Sequence, residues 1–379
     1  MLNIKPIVFW LFFLFLVSAC TPPVPSGSSH SPISQVFQGE RPKNVILMIG
    51  DGMGLSQITA GMYMNGNRLN LEKFPIVGLH KSYSSDDLIT DSAAGATAFS
   101  AGVKTYNGAI AVDKDTKVVP TILEEAERRG FATGLVATST IVHATPASFI
   151  AHVDSRTRYE DIAADFLKTE IDYFVGGGKK YFDRRQTDDR DLYRELQQKG
   201  YYVSDYFKED FEEIVVDFDR NFAYFTADSD PLPVSKGRDY LIPASKLAPI
   251  FLSNHSKKGF FLMIEGAQID WGGHANNSDY IISETIEFDR AIGEIFEFAE
   301  EDGETLVIVT ADHETGGYAL NPGSTMDSIR AGFTTDYHTA SLIPVFAYGP
   351  GADLFGGIYE NTAIYDKMRF ALGFIKQIN

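Results

Sequence analysis

The run Thr90-Asp91-Ser92-Ala93-Ala94-Gly95-Ala96-Thr97-Ala98 puts a hydroxyl and a carboxylate at the head of an Ala-rich segment. Alanine favours helix, and Asp or Ser just before a helix caps its first turn. A helix start also presents unpaired N–H groups and the positive end of the dipole, which suit a phosphate or another oxyanion. Alone, the pattern is an ordinary cap. Its meaning comes from polar residues elsewhere: Asp51-Gly-Met-Gly54, His143-Ala-Thr145-Pro146, Glu265, Asp270-Trp271-Gly-Gly-His274, Asp312-His313-Glu-Thr-Gly-Gly317 and Tyr337-His338. Each of these by itself reads as a turn or a cap. Together, Asp51, Glu265, Asp270 and Asp312 with His274, His313 and His338 are too much uncompensated polarity to gather without cations.

The residue types sort into ligand sets. Asp270, His274 and His338 form a mixed N/O set with an open position, suited to a catalytic Zn2+. Asp51, Asp312 and His313 form a second such set. Asp51, Thr145 and Glu265 offer oxygen alone, which favours a hard ion such as Mg2+ completed by water, with Asp51 bridging two ions. Two close metals beside a nucleophilic Ser point to phosphoryl or sulfuryl chemistry. Asp270 and His274 have helical spacing, but Gly272 and Gly273 between them argue for a loop that turns both side chains inward.

Something must deliver these groups to one place. Continuous apolar runs at Asn44–Gly50, Ala132–Ala137, Gly259–Ile264, Thr305–Thr310 and Leu342–Ala347 read as strands buried on both faces. Helical patterns at Thr121–Arg129, Asp191–Lys199 and Ser283–Ala299 lie between them. Strands alternating with helices predict a three-layer α/β/α fold around a mainly parallel sheet. Ligands of such sheets gather beyond the carboxyl ends of the strands. The acidic, aromatic and irregular segment Tyr201–Leu241 reads as a small peripheral insertion or subdomain.

Composition sets the outer bounds. With 379 residues, 44% of them hydrophobic, the chain can bury a large core. A net charge of −18, with no Lys/Arg stripe to offset it, predicts no nucleic-acid-binding surface. The thirteen residues Ile7–Ala19 are too few to span a bilayer but suit a signal-peptide core. The single cysteine, Cys20, directly follows Val17-Ser18-Ala19, a pattern that resembles a bacterial lipobox. Residues 1–19 are therefore expected to be a lipoprotein signal and 20–42, rich in Pro and Ser, a tether. The catalytic domain would then span 43–379. That predicts an exported protein held to a membrane through lipidated Cys20 on the extracytoplasmic side, periplasmic or at the outer membrane.

In motif content and order, residues 43 to 379 resemble the alkaline phosphatases, most closely the compact marine and cold-active bacterial members. Thr90 to Asn107 is similar to that family's nucleophile segment almost throughout, and Asp312-His-Glu-Thr-Gly-Gly317 is equally distinctive. The resemblance implies hydrolysis of phosphate monoesters through a phosphoserine on Ser92, with two Zn2+ and one Mg2+ in the sets above. It also implies that Arg156 clamps the phosphate and that Asp91 steadies the arginine. Two supporting positions depart from the enteric-type pattern, which has Asp and Lys where this chain has His143 and Trp271. Looser Mg2+ binding and readier product release are expected. Only 24 residues lie between His313 and His338, too few for the crown-like insertion through which many relatives dimerise, so a homodimer stays an open alternative.

The rival readings are a phosphodiesterase of the same superfamily and a non-catalytic lipoprotein that binds metal or phosphate. Arg156 and the Mg2+ set favour the monoester; Ser92 and Arg156 together argue against a mere binder. A sulfatase would need x-Pro-x-Arg after its nucleophile, and Ser92 is followed by Ala-Ala-Gly-Ala.

Overall fold

The computed structural model describes residues 39–378; Cys20 and the signal segment lie outside the described residues. The catalytic unit is built on a ten-stranded sheet. Its strands are β1 (Asn44–Gly50), β2 (Ile76–Lys81), β3 (Ala132–Thr140), β4 (Tyr173–Gly177), β5 (Tyr202–Asp205), β6 (Phe222–Phe225), β7 (Phe260–Gly266), β8 (Thr305–Thr310), β13 (Ile343–Tyr348) and β14 (Gly357–Glu360). The four short strands between β8 and β13 form two small ladders: β9 (Glu314–Thr315) with β12 (His338–Thr339), and β10 (Ala319–Leu320) with β11 (Ala331–Gly332). The order in the large sheet is β14-β2-β13-β8-β1-β7-β3-β4-β6-β5. Only β13 runs against the others.

The central strands are apolar throughout because helices cover both faces. Along β1 the side chains alternate: Val45, Leu47 and Ile49 join one core, and Ile46 and Met48 the other. The first core packs against the helices Ser92–Ala101, Ile122–Arg128, Ala144–Ile150 and Thr362–Ala371. The second packs against Leu55–Met64, Leu241–His255 and Ser278–Asp302. The last of these runs 25 residues, from its cap at Asn277, whose side chain accepts from the Tyr280 N–H, to left-handed Gly303.

Two expectations change. Tyr201–Leu241 is peripheral, but it is not a separate subdomain: it supplies β5 and β6, which extend the sheet at one end. Asp270 and His274 sit on a helix, Gln268–His274, and not on a loop. The glycines between them serve close packing instead: a Cβ on Gly272 would come within 2.7 Å of the Ile281 nitrogen, and one on Gly273 within 2.7 Å of Thr315 Cγ2.

Candidate active site

The carboxyl ends of the parallel strands deliver the polar residues. Asp51 follows β1, Glu265 is on β7, Asp312 and His313 follow β8, and His143 and Thr145 follow β3. The loop after β2 brings in Asp91, whose side chain accepts from the Ala94 N–H and caps the helix that opens at Ser92. That helix runs hard against the site, since a Cβ on Gly95 would lie 2.9 Å from Asp312 Cβ. Pairing of β12 with β9 sets His338 opposite Thr315.

Three groups of ligand atoms lie close enough to share ions: Asp270, His274 and His338; Asp51, Asp312 and His313; and Asp51, His143 and Glu265. Asp51 belongs to two of them. The third adds His143 to Asp51 and Glu265; Thr145, the other ligand expected there, also has its hydroxyl buried.

The imidazoles are oriented as ligands. His274 Nδ1 is 2.7 Å from the Asp336 carbonyl, and His338 Nδ1 is 2.8 Å from that of Thr90. A carbonyl only accepts, so each Nδ1 carries a proton and Nε2 is left as the atom that would hold a cation. Those two Nε2 atoms face each other at 3.2 Å, with Asp270 3.3 and 3.6 Å away. Lone pairs and carboxylate at that spacing call for a cation among them. His313 follows the same rule. Its Nδ1 is 3.2 Å from the Thr315 hydroxyl, which donates onward to Asp270 Oδ1. Its Nε2 then faces Asp312 at 3.2 Å, Asp51 at 3.5 Å and Ser92 Oγ at 3.4 Å.

Protein atoms alone do not satisfy this cluster. Both carboxylate oxygens of Asp51, one each of Glu265 and Asp312, His143 Nδ1 and Thr145 Oγ1 are buried without a hydrogen-bond partner. Burial, then the carboxylates of Asp312, Asp270 and Glu265, push Asp51 well above the usual range. Burial raises Glu265 to about 8. The hydrogen bond to Asp270 lifts His274 to about 9, while burial drops His338 to about 4. Unpaired buried acceptors and like charges forced together are the pattern of a site built for cations. The donor set fits: nitrogen and oxygen at the first two groups, mostly oxygen at the third.

Arg156 approaches from the other side. Its Nη1 donates to Asp91 Oδ2 at 2.9 Å, and its Nη2 lies 3.4 Å from His143 Nε2. The guanidinium is thus turned to one face of the cleft and still has donors to spare. Trp271 meets the His143 ring edge to face, 6.2 Å between centroids. With Asp91, Ser92, Asp270, His274, His338 and Tyr337, these residues line an open cleft of about 260 Å³.

The structure adds residues that sequence reasoning did not single out. Thr315 couples His313 to Asp270. Ser139 donates to Glu265 Oε2 at 3.0 Å. Glu314 accepts from Gln57 Nε2, the N–H groups of Gly317 and Tyr318, and the Thr339 hydroxyl, which locks the loop holding His313. Asn107 accepts from the Asp91 N–H at 2.9 Å. All but Ser139 lie inside the stretches that carried the family resemblance or border their last histidine. Their polar side chains beside ligand residues were the available signal.

Residues 42–331 match the family model for alkaline phosphatase. Alkaline phosphatase 3 of Bacillus subtilis is 36% identical, over 89% of this chain and 90% of that protein. The alkaline phosphatase of Escherichia coli is 32% identical over 92% and 90%. Among solved structures, alkaline phosphatase from the Antarctic bacterium TAB5 superposes with a TM-score of 0.82 at 45% identity, covering 89% of this chain and 99% of that one. A variant of the TAB5 enzyme with one histidine replaced by aspartate, 44% identical and with the same TM-score and coverage, holds Mg in its M3 site. A parallel sheet that brings three cation sets, a helix-capped serine and an arginine to one edge now has its relatives beside it, and the chain belongs to the alkaline phosphatase family, metal-dependent hydrolases of phosphate monoesters.

Proposed function

We propose that Ser92 is the nucleophile, that Arg156 is the phosphate clamp, and that the first two ligand sets hold Zn2+ and the third Mg2+. The observation that carries this reading is the position of Ser92 Oγ: at a helix N-terminus, 3.4 Å from His313 Nε2, in one cleft with Arg156 and the Asp270 set. Ser92 Oγ forms a bond to phosphorus as the ester P–O bond breaks and the alcohol leaves. Water then attacks the phosphoserine, releasing phosphate and restoring the hydroxyl. When bound, the ions supply Lewis acidity that favours the serine alkoxide and hydroxide and offsets charge on the leaving oxygen. Arg156 binds two non-bridging oxygens as a fork, and Asp91 fixes the fork's angle. The first N–H groups of the Ser92 helix add positive potential where the trigonal phosphoryl group passes.

His143 gives the third set a neutral imidazole where a carboxylate would bind Mg2+ more tightly. The TAB5 variant with aspartate in place of one histidine holds Mg in its M3 site, as a carboxylate in such a set would favour. Trp271 leaves the cleft without the cation that lysine would bring, so phosphate should leave readily. Export and anchoring through lipidated Cys20, after a signal at 1–19 and ahead of a tether at 20–42, belong to the same proposal. No helix among the described residues is long and apolar enough to cross a membrane. Trapping tests the core of the reading. Acid quenching during turnover should leave a phosphoryl group on the peptide containing Ser92, and unlabelled peptide would count against a covalent route.

A further inference from the structure

An aromatic ring stands open at the mouth of the cleft. Tyr337 is 47% exposed and borders the buried polar site. One face lies flat on His338, with centroids 4.4 Å apart and planes only 6° off parallel. The His274 ring is 6.0 Å away. The ring lines the cleft together with Asp91 and Arg156 on one side and Asp270 on the other. Trp271 borders the same cleft beside His143. The fold holds the ring by its backbone, with the Tyr337 carbonyl accepting from the Gly316 N–H, and not by covering it.

On the proposed mechanism the leaving group departs opposite Ser92, past the Asp270, His274 and His338 set. Tyr337 stacks on His338 of that set and lines the same cleft, so it borders the path of the departing alcohol. We propose that Tyr337 is a leaving-group platform, with Trp271 bounding the cleft, that favours phosphate monoesters carrying a flat ring over those of saturated alcohols. This rests on the phosphomonoesterase reading and adds a substrate class to it. The physical basis is ring stacking, in which a planar π face gains contact and quadrupole complementarity that a puckered ring of equal size cannot match.

The test compares esters that differ in flatness but not in the basicity of the leaving alcohol: benzyl phosphate against cyclohexylmethyl phosphate. A second pair, adenosine 5′-monophosphate against ribose 5-phosphate, asks whether the ring may lie beyond a sugar. Wild-type enzyme should show a higher kcat/KM for the ring member of at least one pair. Tyr337→Ala should cut that preference about tenfold, the scale of one lost stacking contact. Tyr337→Phe should keep the preference, because the face does the work and not the hydroxyl. The pair that responds identifies the favoured class, arylmethyl ester or nucleotide. A ratio that Tyr337→Ala leaves unchanged in both pairs, whatever the absolute rates, would show that Tyr337 merely props His338 and would overturn the platform. Turnover of cyclohexylmethyl phosphate needs no platform, so it reports on the parent reading separately.

Discussion

Among the described residues, two of the buried charge groups are built on opposite principles. Arg238 with Glu284 and Glu287 is almost sealed, the side chains being 1%, 2% and 5% exposed. There the arginine donates to both carboxylates, and Glu284 also accepts from the Val234 N–H at 2.9 Å. Only Arg238 Nε is buried without a partner. The carboxylates of the catalytic cluster are just as buried, yet it gathers Asp51, Glu265, Asp270 and Asp312 around imidazoles and leaves several acceptors orphaned. The first pairs its charges within the protein and ties the segment before the Leu241–His255 helix to the Ser278–Asp302 helix. The second is incomplete as protein. A buried charge cluster that satisfies itself is architecture; one that cannot is a binding site.

The largest expected effect is on chemistry. Ser92→Ala should lower kcat/KM by about 10³-fold or more while leaving a residue of activity, because the remaining site could still present water. Its melting temperature should stay near wild type, and a large drop would make Ser92 structural. Next comes Arg238→Met, which strands two carboxylates in the interior. It should cost about 3–5 kcal/mol of stability by denaturant unfolding, with kcat per folded molecule intact. Replacing all three members by apolar residues of similar size should recover most of that loss. If activity fell with Arg238 while stability held, the two clusters would not be the different things described here.

Smaller effects probe the hydrogen bonds around the ligands. Thr315→Val removes the hydroxyl between His313 and Asp270 and should reduce metal affinity or activity about 10–100-fold. Metal titration of the apo-protein followed by assay would show it; unchanged affinity and rate would demote Thr315 to packing. Chelation should lower the melting temperature of wild-type protein, since ions that bind only the folded state stabilise it. The same treatment of the Arg238→Met variant should give the same drop. Smallest is Trp271→Lys, which should tighten inhibition by phosphate a few-fold, an order set by one added cation at a partly solvated site. Inhibition no tighter than wild type would point to a packing role for Trp271.

Much of this arrangement is legible in the chain before any coordinates. Continuous apolar runs mark β1, β3, β7 and β8 because a strand covered on both faces has no polar side to confuse the pattern. The residue after each such strand is then confined to the ligand edge, which makes Asp51 and Asp312 readable as site residues. The helix at Gln268–His274 was hidden because its two glycines look like a break. Their cause is the approach of Ile281 and Thr315, a tertiary fact that no local window contains. β5 and β6 escaped for a related reason: four residues each, in an acidic stretch, they are strands because β4 offers an edge to pair with. Thr315 lies within the distinctive 312–317 stretch and Ser139 in none, and for both only the distances to His313 and Glu265 assign the side chain its work.

The central claim is that the orphaned carboxylates and imidazoles at the sheet edge form one metal-assembled site for phosphate monoesters. Its most direct test is kcat/KM for p-nitrophenyl phosphate against bis-p-nitrophenyl phosphate, on protein loaded with Zn2+ and Mg2+ and again after chelation. The account predicts a monoester preference of several orders of magnitude that vanishes with the metals. A diester preference, or a monoester rate indifferent to chelation, would contradict it.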